Sequence, residues 1–176
     1  MKIMTITRRA ILFTLAIIIV ATPGSRAAIA TPLLPAGAAA QPNIAINAYF
    51  ATSKTQHGRT VQGVVALDIP SGYHINSNRP IAKYLIATSV KLDPRDGVRV
   101  GSVRYPRALL RNFSFSDQKL SVFEGRVLMR FSVTIPANFP NGKLELKGKV
   151  KYQSCSDKEC YAPTTRDVSL WIDVVG

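Results

Sequence analysis

A chain of 176 residues is the length of one ordinary domain, and 47% hydrophobic residues supply enough apolar material for a packed core, which excludes a disordered composition. Its 23 basic residues against 10 acidic ones leave a formal charge of +13. They are scattered without a basic run, so the surplus reads as a basic, soluble surface, and no nucleic-acid partner is expected.

The first 30 residues read as a cleavable export signal. Lys2, Arg8 and Arg9 form a basic start, residues 11–20 an apolar run, and Ala28-Ile29-Ala30 a small-x-small cleavage pattern before Thr31. The apolar run falls short of the roughly 20 residues of a spanning helix. Arg8-Arg9 permits the twin-arginine route as well as the general one, and either places the protein outside the cytoplasm. Cleavage removes four basic residues and no acid, taking the charge from +13 to +9. No second apolar segment is long enough to span a bilayer, so the mature chain is not expected to cross one.

Residues 31–42, rich in Ala, Pro and Gly, read as a flexible leader, and residues 43–176 as the folded domain. Ile44, Ile46, Ala48 and Phe50 alternate, as do Val61, Gly63, Val65, Leu67 and Ile69, which predicts a first hairpin around a polar link. Residues 70–76 are a turn leading into a short extended piece. Residues 87–92 read as a strand, Pro94-Arg95-Asp96-Gly97 as a turn, and residues 98–103 as the returning strand. Residues 105–116 hold no period. Strands resume at 120–123, 127–135, 143–152 and 167–174. About nine short strands with no sustained helical period predict an all-β, immunoglobulin-like antiparallel β-sandwich, with Trp171 in its core.

The only two cysteines, Cys155 and Cys160, stand between the last two strands. If Cys155 ends one strand and Cys160 begins the next, they face each other across a four-residue loop, at a separation of about 4.5–5.5 Å that a disulfide accepts. So small a ring removes little loop entropy from the unfolded chain. In an exported protein such a pair is either a structural bond or a redox couple. His57 and His74 are expected as surface or hydrogen-bonded loop residues. No metal site, catalytic triad or phosphate loop can be assembled from the spacing, and no cofactor is expected.

Tyr152-Gln153-x-Cys155 … Cys160-Tyr161-x-Pro163, together with Gly72-Tyr73-His74-Ile75-Asn76 and Lys119-Leu120-Ser121-Val122-Phe123-Glu124-Gly125, resembles the N-terminal periplasmic domain of the DsbD-type thiol:disulfide interchange protein. The resemblance covers nearly all of residues 44–174. It implies an immunoglobulin-like domain whose two cysteines shuttle between dithiol and disulfide. Electrons would arrive from a membrane-embedded donor and pass to periplasmic thioredoxin-fold proteins for disulfide isomerisation or cytochrome c maturation. Cys160 would form the mixed disulfides and Cys155 resolve them. A cap loop would carry its shielding aromatic at Phe113 or Phe115, with Tyr152 and Tyr161 in the active-site wall. No membrane or thioredoxin-like domain follows in this sequence, so the donor is expected to be a separate polypeptide. The other reading is an exported binding module whose disulfide only closes a hairpin; the two differ in reduction potential.

Overall fold

Period-two alternation turns every second side chain of the long strands inward. In the computed structural model, which describes residues 41–176, those side chains close one main core. The strands in chain order are β1 (Ala45–Phe50), β2 (Lys54–Gln56), β3 (Thr60–Asp68), β4 (His74–Asn76), β5 (Ser89–Asp93), β6 (Arg99–Val100), β7 (Leu109–Arg111), β8 (Leu120–Phe123), β9 (Arg126–Thr134), β10 (Gly142–Tyr152), β11 (Ser154–Cys155) and β12 (Thr164–Val175). No helix occurs among the described residues. The expected signal and nearly all of the expected leader lie outside them.

One sheet runs β1-β3-β9-β6 and a second β2-β12-β10-β5. Val127, Met129, Phe131 and Val133 of β9 meet Leu144, Leu146 and Val150 of β10 and Leu170, Ile172 and Val174 of β12 in that core. The result is the expected immunoglobulin-like β-sandwich, antiparallel except where β2 pairs in parallel with the end of β12. Close packing shows at Gly63, opposite Phe131 in the register: a Cβ there would lie 2.3 Å from the Phe131 ring.

Two expectations are corrected. Trp171 lies outside the core, 52% exposed, because its neighbours Leu170 and Ile172 take the inward phase of β12 and leave position 171 to the outer face. Residues 98–103 do not return along the strand before them. β5 pairs with β10 and β6 with β9, so the turn at Asp96 and Gly97, with φ of 53° and 76°, carries the chain from one sheet to the other.

A third, smaller sheet, β11-β4-β8-β7, takes three of its four strands from chain that continues sandwich strands past a break. β3 leads through Pro70-Ser71-Gly72 to β4, β8 leads through Glu124-Gly125 to β9, and β10 leads through Gln153 to β11. β4 and β8 are buried along their whole length. This sheet carries the cysteines.

Candidate functional site

The chain leaves the second sheet at Gln153, and that side chain secures the break. Its Oε1 accepts from Asn76 Nδ2 at 3.0 Å and from the Ile86 backbone N–H at 3.1 Å, while its Nε2 donates to the Tyr161 carbonyl at 3.1 Å. Ser154 and Cys155 then pair with Ile75 and His74 of β4. The following loop is tied internally: Ser156 N–H donates to the Glu159 carbonyl at 2.8 Å, and Ser156 Oγ accepts from the Lys158 and Glu159 N–H groups at 3.3 Å each. Tyr161 N–H donates to the Ser154 carbonyl at 2.9 Å.

This geometry sets Cys155 and Cys160 opposite each other in an antiparallel bridge, joined by a disulfide with Cα atoms 3.9 Å apart. The cysteines face each other as expected, but in their own small hairpin on the third sheet. The β10–β12 ladder ends earlier, at Tyr152 and Thr164. The two sulfur-bearing residues are unequal in exposure: Cys155 is fully buried, whereas Cys160 is partly exposed.

Residues 112–119 form the loop beside the pair. Phe113 and Phe115, both half-buried, pack with Cys160 against Ala82, Leu85, Leu120 and Val122. The two rings stack with centroids 5.5 Å apart, and Ser114 Oγ donates to the Asp157 carbonyl at 2.9 Å, joining this loop to the cysteine loop. The structure therefore brings both phenylalanines to the disulfide. Tyr161 is half-buried and tilts against Tyr73 at 6.3 Å. Tyr152 ends β10 on its inward phase and is buried in the sandwich core.

His74 stands in one of the stretches that carry the resemblance, but sequence reasoning gave it no place in the site. Expected as a surface or hydrogen-bonded loop residue, it is instead 2% exposed in β4, directly across from Cys155, with its ring stacked on Phe113 at 4.0 Å. Its Nε2 is buried without a hydrogen-bond partner. Burial pushes the imidazole below its ordinary pKa, because a cation is poorly solvated there, while Glu124 and Asp157 pull the other way. Glu124 is held by Arg111 through two hydrogen bonds of 3.0 and 3.1 Å. His57 lies elsewhere, with Nε2 hydrogen-bonded to Asn141 Oδ1 at 2.7 Å. Among the described residues no group of three His, Cys, Asp or Glu side chains is placed to hold a metal ion. Nor is any helix there long and apolar enough to cross a membrane.

Residues 40–171 match the family described as thiol:disulfide interchange protein DsbD, N-terminal. No curated protein matches the chain. Among solved structures, the N-terminal domain of DsbD from Neisseria meningitidis in the reduced form is similar at 15% identity and a TM-score of 0.47, over 73% of this chain and 85% of that one. The N-terminal periplasmic domain of ScsB from Proteus mirabilis is similar at 12% identity and a TM-score of 0.44, over 74% of this chain and 45% of that one. With the family match spanning most of the sequence and its one cysteine pair joined in a surface hairpin, the chain belongs to the DsbD N-terminal family and is a thiol-disulfide transfer domain.

Proposed function

We propose that this is a periplasmic domain that takes electrons from a separate membrane-embedded donor and passes them to thioredoxin-fold partners through Cys155 and Cys160. Disulfide isomerisation or cytochrome c maturation would be the outlet. The observation that carries the reading is the asymmetry of the bond. Exchange requires a thiolate to reach one sulfur in line while the other leaves. Cys160, partly exposed beside the Phe113 and Phe115 loop, is the sulfur a partner can reach; Cys155, fully buried behind it, is the leaving and resolving sulfur. Phe113 and Phe115 serve as the cap, and Tyr161 stands in the wall.

The surface beside the cysteines supports a docked protein partner. Ile81 is 51% and Tyr84 68% exposed, on a loop whose Ala82 and Leu85 pack into the same cluster as Cys160. Exposed apolar residues grouped at a reactive bond are an interaction feature. Residues 1–30 supply the export signal in this reading, and residues 31–42 the leader ahead of the domain.

The deciding experiment is the equilibrium reduction potential of the pair, measured by thiol trapping in defined dithiol buffers. A potential of about −270 to −180 mV, the range of thioredoxin-like and isomerase partners, is expected. A value below about −300 mV would make the bond structural and the chain a binding module.

A further inference from the structure

Resting on the exchange function proposed above, we infer that His74 is the base that takes the Cys155 thiol proton when Cys155 resolves a mixed disulfide held on Cys160. Register places it there. His74 is the cross-strand partner of Cys155, and Cys155 in turn is the partner of Cys160, so the three residues form one row across the ladder. Directly opposed residues of an antiparallel pair project to the same face with Cβ atoms about 4.5–5.5 Å apart.

A base is needed at this point because Cys155 is fully buried. A thiol must lose its proton to become a nucleophile, and a proton on a residue sealed from water needs an acceptor inside the protein. The buried side-chain atoms without a hydrogen-bond partner among the described residues are His74 Nε2, Asn76 Oδ1 and Ser154 Oγ. Of these only the imidazole takes up a proton near neutral pH. A neutral ring with its own proton on Nδ1 presents Nε2 as that acceptor.

The surroundings suit the task. Phe113 covers the ring from the loop side, and Phe115 stacks beyond it at 6.5 Å from His74. Neither brings a charge. The charged groups that face His74 are Glu124, at the end of β8, and Asp157, in the cysteine loop. Both stabilise an imidazolium once it forms, and Arg111 tempers Glu124.

The step balances as follows. Cys160 Sγ has already attacked a partner disulfide, one partner sulfur leaving as thiolate and the other remaining bonded to Cys160. Cys155 Sγ attacks Cys160 Sγ, its proton passing to His74 Nε2. The Cys155–Cys160 bond forms, the Cys160–partner bond breaks, and the electron pair departs on the partner sulfur. The imidazolium then releases its proton to that thiolate or to water. Two electrons have moved from the protein dithiol to the partner disulfide, and no further oxidant is required.

The test uses the reduced protein with dithiobis-nitrobenzoate as the disulfide. The first coloured thiolate released reports attack by Cys160, and the second reports attack by Cys155. In His74→Gln and in His74→Phe, which keeps a ring on Phe113, the second release at neutral pH is expected to slow about 10²-fold, with the first little changed. Its rate in the variants should climb with pH into the thiol range, about 8.5, whereas the wild type levels off at lower pH. A folded variant whose second release keeps the wild-type rate and pH profile overturns the inference. Should neither variant fold, the ring protons of His74 are titrated by NMR in the oxidised and reduced wild type: a pKa that differs between the two states is expected, and identical values overturn the inference. A wild type that gives no second release overturns the exchange reading itself, and the role of His74 with it.

Discussion

His74 is neutral at physiological pH because a cation there would be buried in an apolar stack. In the unfolded chain the same imidazole titrates at its ordinary value of 6.5. The folded-state value is depressed, so below that pH the unfolded state binds the proton more readily than the native state. The stability associated with neutral His74 is therefore fully present above pH 6.5 and is lost as pH falls from there through the depressed folded-state value. His74→Phe keeps the stacking and has nothing to protonate. Denaturant midpoints of the oxidised protein and this variant should diverge between about pH 7.5 and about pH 5, with the variant gaining on the wild type as acid is added. Parallel curves would show that the burial of His74 is not coupled to its charge. The hydropathy pattern around His74 did not signal its burial. The residue sits in a three-residue strand buried throughout, so no alternation distinguishes it from the loop residues on either side.

At the scale of elements, the loop carrying Phe113 and Phe115 packs in one cluster with Cys160 and is joined to the cysteine loop by the Ser114 hydrogen bond to Asp157. In the cap reading proposed above, a small thiol would gain fuller access to the Cys160 sulfur when this loop lifts, and the stacking would oppose lifting. Aromatic pairs contribute about 0.5–1.5 kcal/mol beyond their buried area, so Phe113→Ala should raise the rate of reduction by dithiothreitol about 2- to 10-fold. An unchanged rate would mean that Cys160 is reached from another side and that the loop is no cap. The long strands β1, β9, β10 and β12 were legible in the sequence because each alternates between a more buried and a more exposed face over six residues or more; β3, buried on both faces from Gly63 to Leu67, was legible from the spacing of Val61, Val65 and Leu67. Of the third sheet, the strand at 120–123 and the short extended piece ending at Asn76 were expected, but β7, β11 and the pairing of the four were not. Its strands have two to four residues, and β4, β8 and β11 are buried on both faces. The cysteine hairpin was readable from loop length, but its transfer from the β10 ladder to β4 depends on Gln153, whose Oε1 partners lie 67 and 77 residues away. The site's chemistry was thus visible at the cysteines, whereas its buried wall depended on contacts distant in sequence.

For the molecule as a whole the governing quantity is charge. The described residues keep a formal surplus of +9, because the four basic residues before position 41 are outside them and no acid is. Against this stand five ion pairs among the described residues, all between side chains that are exposed or half-exposed: Arg95–Asp93, Arg111–Glu124, Arg126–Asp68, Lys147–Glu145 and Lys149–Asp167. Exposed pairs contribute about 0–1 kcal/mol each, and salt weakens them. The repulsion among the surplus basic groups acts throughout the surface, favours the expanded chain, and is also weakened by salt. The two effects have opposite signs. With 19 basic against 10 acidic groups among the described residues, repulsion should prevail. Raising sodium chloride from about 0.01 M to about 0.15 M, which shortens the Debye length from about 30 Å to about 8 Å, should therefore raise the thermal midpoint of the oxidised protein. Removing attractive pairs by Glu145→Gln and Asp167→Asn should steepen that rise, since each variant adds a positive unit and deletes a pair that salt would have weakened. A midpoint that falls with salt would show that the exposed pairs outweigh the surplus, and that Lys147 and Lys149 of β10 stabilise the fold through their pairs with Glu145 and Asp167.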